Sequence, residues 1–280
     1  MAGFSIKSLK TPLRYPGGKS RACKKMDIYI PDLREYDSYY EPFLGGGSVA
    51  LYISQLYPHL RIWVNDLYSP LTTFWKVLQN EGIELYNELS ALKKIHPTQD
   101  SARGLFNDAK NYLTQSEKDD FHIAVSFYII NKCSFSGLSE SSSFSPQASD
   151  SNFSMRGIEK LRFYEEVLFE WKITNLSYTD MMPDNDETFT YLDPPYEIKP
   201  KLYGKGGDMH KGFNHDEFAH ICNSNYYDQM ISYNVSSLIK DRFSNWTANE
   251  YDHTYTMRSV GDYMKDQQGR KELLLTNYGI

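Results

Sequence analysis

The stretch Thr188-Phe-Thr-Tyr-Leu-Asp-Pro-Pro-Tyr196 decides the fold of this 280-residue chain. Its first five residues are β-branched, aromatic or aliphatic, which is typical of a buried strand. Two consecutive prolines cannot continue a central strand, so the chain must leave the sheet directly after Leu192. Asp193 is therefore predicted to lie at the carboxyl end of a strand, which is where open α/β sheets bind their ligands.

Two earlier stretches follow the same scheme. Residues 38–44 form a strand pattern that runs into Gly45-Gly46-Gly47-Ser48 and then into a helical pattern. Residues 61–66 form a second strand pattern, which ends in Asp66 and is followed by a helix. Further strands are predicted at 229–233 and 271–277. Strands that alternate with helices predict an α/β protein with an open sheet and helices on both of its faces.

The composition and the hydrophobic pattern of the sequence change between about residues 79 and 164. Residues 81–130 have apolar side chains at helical spacing, whereas residues 134–154 are rich in serine with three interspersed phenylalanines. We interpret this part as a folded, mainly helical insertion that contains a hairpin. The predicted organisation is a discontinuous domain of residues 1–78 and 165–280, interrupted by an inserted domain of residues 79–164.

Composition narrows the class of protein. Hydrophobic residues make up 40% and charged residues 24%, as in ordinary globular proteins. The three cysteines lie far apart, the histidines lack H-E-x-x-H spacing, and neither a secretory signal nor a membrane span is evident. We expect a cytoplasmic protein without a metal site.

Charge is distributed unevenly along the chain. The net charge is −6, which argues against a protein that coats nucleic acid non-specifically. Residues 1–26, however, carry seven cations and no carboxylate. Such an arm can neutralise phosphates, although a solvated terminal segment is the simpler interpretation of these residues alone.

The Asp-Pro-Pro-Tyr turn fits one chemical task. Prolines have no N–H group, so the turn offers hydrogen-bond acceptors rather than donors. The Asp193 carboxylate and the Pro194 carbonyl can together accept both hydrogens of an amino group, while Tyr196 stacks on the ring that bears it. Two such acceptors can take up the positive charge that develops when an aromatic amine attacks an electrophile. A turn without a chemical role is the alternative.

The glycine turn at residues 45–47 allows a cofactor to approach the backbone closely. It lacks the G-x-G-x-x-G spacing of nicotinamide-binding folds. Asp66 follows about 20 residues later, where an acid commonly binds ribose hydroxyls. Gly18-Lys19-Ser20 resembles the end of a phosphate-binding loop, but position 13 is Leu13 rather than the glycine that such a loop requires.

Taken together, these motifs resemble those of the Dam-type (D12 class) DNA adenine methyltransferases. The resemblance covers the whole chain and keeps the motifs in order. It implies a Rossmann-like sheet, S-adenosylmethionine as cofactor, and site-specific methylation at N6 of an adenine flipped out of double-stranded DNA, with no metal required. The matching segments are residues 14–19, 41–48, 65–66, 193–196 and 272–278.

The resemblance also implies roles for individual residues. Asp193, Pro194, Pro195 and Tyr196 would be the catalytic residues and hold the flipped adenine. Tyr15 stands where the family often has tryptophan, and either ring can cover a sulfonium cofactor. The implied S-adenosylmethionine pocket consists of Tyr15, Lys19, Phe43, Gly45, Gly46, Gly47, Asp66 and Asp193.

The insertion matches the position of the family's target-recognition region. Members that read GATC tend to carry N-G-L-x-R there, whereas this chain has Ser136-Gly-Leu-Ser-Glu140. Arginine reads guanine, while a glutamate accepts a hydrogen bond from the cytosine amino group, so GATC is not expected to transfer as the target. Alternatively, Glu140 faces solvent and another residue reads the base. The predicted DNA contacts are Ser136, Glu140, Arg156 and Lys160.

Two alternative functions are compatible with parts of this pattern. Cytosine-N4 methylation poses the same chemical problem, but serine rather than aspartate usually heads the motif in that case. A DNA-binding accessory protein without catalytic activity would be expected to have lost Asp193, which is present. The sequence does not indicate a partner endonuclease of a restriction-modification system, an oligomeric state, or whether the gene belongs to a host nucleoid protein or to a phage.

Overall fold

A computed structural model of the chain describes residues 9–15, 17–135, 142–183, 185–196, 212–253 and 270–279. Within these ranges the backbone forms a seven-stranded sheet with the order β3-β2-β1-β4-β5-β7-β6. All five predicted strands are present, and β3 and β6 are additional. The strands are β1 (Ser38–Glu41), β2 (Arg61–Asn65), β3 (Lys172–Thr174), β4 (Thr188–Leu192), β5 (Gln229–Asn234), β6 (Thr247–His253) and β7 (Arg270–Thr276).

The first five strands run parallel, whereas β7 lies antiparallel between β5 and β6. In register, Ser38 of β1 lies opposite Arg61 of β2 on one side and Thr188 of β4 on the other. The strand order reverses between β1 and β4, which makes this the topological switch point of a doubly wound sheet. The crevice at the carboxyl ends of β1 and β4 is thus the expected ligand site.

Helices connect the strands. A short helix, α1, precedes the sheet, α2 follows the glycine turn, and α3 follows β2. Single 3-10 turns lie at Asp27–Tyr29, Leu33–Glu35, Lys160–Phe163 and Tyr178–Met181. The α-helices of the described residues are α1 (Cys23–Met26), α2 (Ser48–Leu56), α3 (Ser69–Asn80), α4 (Gly82–Ile95), α5 (Gln99–Leu113), α6 (Asp120–Cys133), α7 (Pro146–Ser151), α8 (Met155–Glu159), α9 (Tyr164–Leu168), α10 (His215–Ser224) and α11 (Ser237–Arg242).

Both faces of the sheet are covered, as the alternation along β7 demonstrates. Leu274 packs into the larger core, which includes α2 and α3. Its neighbours Leu273 and Leu275 pack into a second core with Phe218 of α10 and Ile239 of α11. Successive side chains of a strand point to opposite faces, so the two cores lie on opposite sides. The prediction of helices on both faces is confirmed.

The segment between α3 and β3 is mainly helical, as predicted, and packs against α3. Phe74 stacks on Tyr128 of α6 with ring centroids 5.8 Å apart and lies 5.7 Å from Phe127. This helical segment therefore shares the larger core with one face of the sheet. The division into separate domains at residues 79 and 164 stays a prediction.

A hairpin base follows α6. Ser134 and Phe144 form an antiparallel bridge. The Phe135 amide donates to the Ser143 carbonyl at 3.2 Å, and the Ser145 amide donates to the Cys133 carbonyl at 2.8 Å. Residues 136–141, which join the two sides, lie outside the described residues.

Membrane insertion finds no support in the helices of the described ranges. None of them combines the length and the apolar character needed to cross a bilayer. The three cysteines are buried and unpaired, in agreement with the absence of a disulfide pattern in the sequence.

Candidate active site

Lys19 connects the N-terminal segment to the end of β4. Its Nζ donates to both Asp193 carboxylate oxygens, at 2.9 and 2.8 Å, to the Tyr196 hydroxyl at 2.9 Å, and to the Gly17 carbonyl at 3.1 Å. The lysine side chain is 2% exposed, whereas that of Asp193 keeps 22% of its surface exposed. Lys19 thus fixes the orientation of a carboxylate that stays partly exposed at the carboxyl end of β4.

Glu272 of β7 completes this group. The Tyr196 hydroxyl donates to Glu272 Oε2 at 2.6 Å, and Lys19 Nζ lies 4.0 Å from the same oxygen. No sequence motif marks Glu272 as a site residue. What the sequence does show is a single carboxylate directly before the apolar residues of β7.

The charges of this group influence one another. Burial alone would lower the pKa of Lys19, but the nearby Asp193 and Glu272 carboxylates raise it above its usual range. Burial raises the pKa of Asp193 and of Glu272, and Lys19 opposes both shifts. The three groups therefore depend on one another to remain charged.

The glycine turn lies against aromatic side chains. Gly45 and Gly47 have φ values of +48° and +64°, which favour glycine. A Cβ atom on Gly45 would lie 2.8 Å from Cε1 of Tyr15, and one on Gly47 would lie 2.7 Å from Cζ2 of Trp75. The need for glycine at these two positions therefore has a packing cause as well as the predicted cofactor approach.

Asp66 links the end of β2 to this turn. Its Oδ2 accepts from the Gly45 amide at 2.9 Å, and its Oδ1 accepts from the Tyr68 amide at 3.0 Å. Burial raises the pKa of Asp66, and these amides oppose the shift. The Leu67 amide also bonds this carboxylate, and because a carboxylate has about four lone-pair sites, one remains for a ribose hydroxyl.

These residues fit S-adenosylmethionine, the cofactor that the sequence resemblance implies. The glycine turn follows β1, Asp66 follows β2 and Asp193 follows β4, so neighbouring strands bring all three to the switch point. Asp66 offers acceptors for ribose, and Tyr15 and Asp193 offer a ring and a negative charge for a sulfonium. When bound, the cofactor supplies an electrophilic methyl group.

Phe43, the remaining predicted cofactor contact, lies in an aromatic cluster. Its ring centroid is 5.4 Å from that of Tyr178, 5.8 Å from that of Phe213 and 5.9 Å from that of Phe218. These contacts give Phe43 a packing role in the second core. Its contact with the cofactor stays a prediction.

Glu41 is a second buried carboxylate that the sequence analysis did not single out. It ends β1, is 2% exposed and accepts a hydrogen bond from the Tyr39 hydroxyl at 2.6 Å. Burial raises the pKa of Glu41 to about 8, even though this hydrogen bond opposes the shift. At neutral pH Glu41 is therefore mostly protonated.

This pKa predicts a pH dependence of stability. The unfolded-state pKa of glutamate is about 4.3, so the stabilisation due to Glu41 is complete below that value and is lost as the pH rises through 8. Between pH 6 and pH 8, the wild type should lose about 2 kcal/mol more unfolding free energy than Glu41→Gln, which keeps an acceptor for Tyr39. Urea unfolding at both pH values measures the difference. Parallel pH profiles for the two proteins would contradict the assignment.

The predicted DNA contacts divide into two groups. Ser136 and Glu140 lie outside the described residues. Arg156 is exposed on α8, and Lys160 is exposed at the start of the following 3-10 turn. Their roles as DNA contacts stay predictions.

Two further cations lie near the hairpin base. Arg14 donates through Nη1 to the Ser134 carbonyl at 2.7 Å and through Nη2 to the Phe135 carbonyl at 3.1 Å. Burial and, to a smaller extent, the neighbouring cations Arg14 and Lys160 together lower the pKa of Lys132 to about 7. The sequence analysis missed both, because only the fold brings residue 14 to the end of α6.

In the described part of the chain, no cluster of three or more histidine, cysteine, aspartate or glutamate side chains has the arrangement of a metal site. The expectation of a metal-free protein stays a prediction.

Comparison with known proteins agrees with this geometry. The chain is 25% identical to the type II methyltransferase M.MjaIII of Methanocaldococcus jannaschii, over 96% of this chain and 99% of that one. It is 25% identical to modification methylase StsI of Streptococcus sanguinis, over 97% of this chain but 43% of that one. It is 28% identical to the DNA N-6-adenine-methyltransferase of Escherichia phage P1, over 45% of this chain and 15% of that one.

Among solved structures, that of SMU.472 in complex with SAH aligns over 99% of this chain and 55% of that one. Its TM-score is 0.39 at 10% identity, which is too low to bear on function. The family model of the D12 class N6 adenine-specific DNA methyltransferases, in contrast, matches residues 15–257, from the tyrosine beside the glycine turn to beyond β6. The chain therefore belongs to the D12 class of N6 adenine-specific DNA methyltransferases, enzymes that transfer a methyl group from S-adenosylmethionine to adenine in DNA.

Proposed function

We propose that Asp193 and the Pro194 carbonyl hold the amino group of an adenine flipped out of duplex DNA, while S-adenosylmethionine lies over the glycine turn. The observation that carries this proposal is the position of Asp193. Lys19 fixes both of its oxygens, yet part of the side chain faces the crevice at the switch point. A carboxylate held in this way needs no reorganisation when positive charge develops on the amine.

The proposed reaction needs two hydrogen-bond acceptors for the adenine amino group and a base for the proton that this group loses. The adenine amino nitrogen is a weak nucleophile because its lone pair is shared with the ring. Acceptors at about 3 Å draw the amino hydrogens out of the ring plane, so that the lone pair can attack the methyl carbon. The bound cofactor would supply the methyl group and keep the electron pair of the broken carbon–sulfur bond, and the amino nitrogen would then lose one proton. Asp193, whose pKa burial raises, can accept that proton.

Tyr196 is suited to support the flipped base. Its hydroxyl is held by Lys19 and Glu272 at 2.9 and 2.6 Å, and its ring packs 5.9 Å from that of Tyr233. Flipping a base costs a few kcal/mol, and stacking on an aromatic ring offsets part of that cost. A ring anchored at its hydroxyl loses little further freedom when the base arrives.

The DNA backbone is proposed to lie along the cations beside the hairpin base. Arg14, Lys132 and Lys160 lie close enough for the first and last to lower the pKa of Lys132. Phosphates would relieve this mutual repulsion and release counterions. We call these three residues the hairpin-base cations.

Lys160→Met is expected to weaken DNA binding and to reduce the slope of log K against log salt by about 1, because one phosphate contact is lost. Fluorescence anisotropy with a labelled duplex at several salt concentrations measures this slope. Lys118→Met is the matched control. Lys118 precedes α6, whose length of about 20 Å separates it from the hairpin base. Equal slopes for Lys160→Met and the wild type would contradict the proposed backbone path.

The reaction is tested by transfer of labelled methyl from S-adenosylmethionine to unmethylated DNA, followed by digestion to nucleosides. Label in N6-methyldeoxyadenosine is expected. Label in N4-methyldeoxycytidine would move the site residues to the other exocyclic amine, and DNA binding without label would indicate an inactive accessory protein. Sequencing the methylated positions then determines the target, which we propose is not GATC because Glu140 replaces the arginine of the GATC readers.

A further inference from the structure

Glu272 occupies an unusual position for a carboxylate. It lies within β7, between strands β5 and β6, with 1% of its surface exposed. Its Cα partners in register are Asn234 and Tyr251. Burying a carboxylate costs several kcal/mol unless it is paired and hydrogen-bonded. A leucine at this position would continue the apolar run that follows and would be easier to bury.

The partners of Glu272 belong to the proposed amine site. The Tyr196 hydroxyl donates to it at 2.6 Å, and Lys19 lies 4.0 Å away. Lys19 in turn donates to the Tyr196 hydroxyl and to both oxygens of Asp193. The hydroxyl of Tyr196 therefore accepts from Lys19 and donates to Glu272, which fixes its hydrogen-bond direction.

The charges of these residues also connect Glu272 to the proposed amine site. Lys19 contributes one positive charge, and Asp193 and Glu272 each contribute one negative charge. This group thus carries a net charge of −1, which suits a site that receives a cationic methyl donor and a developing cationic amine. With Glu272 neutral, Lys19 would cancel the charge of Asp193 alone.

We infer that Glu272 is a positioning residue for methyl transfer, which acts through Tyr196 and Lys19 on the orientation of Asp193. The inference rests on the proposed function of Asp193 and Tyr196. Glu272 itself does not touch the reacting atoms in this scheme. It anchors the Tyr196 ring against the adenine and holds Lys19 where it supports both oxygens of Asp193.

The experiment is a double-mutant cycle on methyl transfer with Glu272→Gln, Tyr196→Phe and the double variant. Glu272→Gln should lower kcat about 10-fold, because Glu272 supports the orientation of Asp193 at the reacting amine. The KM values for DNA and cofactor should change less than about 3-fold. The double variant should be little slower than the slower single variant, since both substitutions remove the charge-assisted hydrogen bond between Tyr196 and Glu272, for which glutamine leaves only a neutral acceptor. Glu250→Gln on the neighbouring strand is the matched control and should keep wild-type kcat.

Other outcomes would overturn the inference. An unchanged kcat for folded Glu272→Gln would mean that Glu272 only stabilises the sheet, and effects of the two substitutions that multiply would mean that Glu272 does not act through Tyr196. If Glu272→Gln does not fold, Tyr196→Phe removes the same hydrogen bond and leaves the charges in place; an unchanged kcat for it would overturn the inference, and a lowered kcat at unchanged KM would support it. Asp193→Asn is measured in parallel, because its full activity would instead overturn the proposed function.

Discussion

Asp193→Asn is expected to lower kcat for methyl transfer by about a thousandfold. The amide keeps the size of the carboxylate but loses its charge and replaces one acceptor with a donor. One oriented group that stabilises developing charge in a buried site contributes about 10² to 10³ in rate, and the misplaced donor adds repulsion toward either Lys19 or the amine. A radiolabelled methyl-transfer assay with saturating DNA and cofactor measures this loss.

The fold should survive this substitution. Lys19 retains Glu272 at 4.0 Å and the Tyr196 hydroxyl at 2.9 Å, so its charge stays compensated. Asp37→Asn is the matched control, because Asp37 precedes β1 at the opposite end of the sheet and forms a highly exposed ion pair with Arg61. Turnover of Asp193→Asn within a few-fold of the wild type would show that another group accepts from the amine.

The sequence predicted the strand ends that surround the switch point because the residues of each motif are adjacent in the chain. Asp-Pro-Pro-Tyr follows a strand in which all five residues are buried, and the glycine turn follows another strand. Strand ends and turns have local signatures in glycine and proline. Parallel neighbouring strands place their carboxyl ends at the same edge of the sheet, so Asp66, Gly45 and Asp193 are expected to lie there.

The edges of the sheet were not predicted, for a physical reason. β3 has three residues, and β6 is Thr-Ala-Asn-Glu-Tyr-Asp-His, which is mostly polar. Edge strands are often short or charged, because this prevents pairing with other chains. They therefore lack the apolar patterns from which central strands are recognised.

The buried charges of the site were missed for a different reason. Glu41 and Glu272 belong to strands whose patterns predict structure, and nothing in the neighbouring sequence indicates their partners. Glu272 lies 4.0 Å from Lys19, although the two residues are 253 positions apart in the chain. Only tertiary contacts decide whether such a carboxylate is a solvated strand residue or a member of the active site.

Lys19→Met is expected to lower the unfolding free energy by about 3 to 5 kcal/mol at pH 8, because removal of one partner leaves buried charges uncompensated. The methionine fills similar space without a charge. Glu272 is 2% exposed and Asp193 is 22% exposed, so neither carboxylate can recover full hydration. Urea unfolding of the variant and the wild type measures the difference. Lys24→Met, on the exposed face of α1, should change stability by less than about 0.5 kcal/mol.

The deficit of Lys19→Met should shrink as the pH falls. Burial raises the pKa of both carboxylates, and the variant lacks the lysine that opposes these shifts. Because their folded-state pKa values exceed those of the unfolded chain, protonation stabilises the folded variant as the pH falls through the folded values. Adding Glu272→Gln should restore part of the stability at pH 8, because one uncompensated charge is removed. An equal deficit at pH 8 and pH 5.5, with no recovery in the double variant, would mean that Lys19 stabilises the fold by packing. The charge balance assigned to Asp193 and Glu272 would then be wrong.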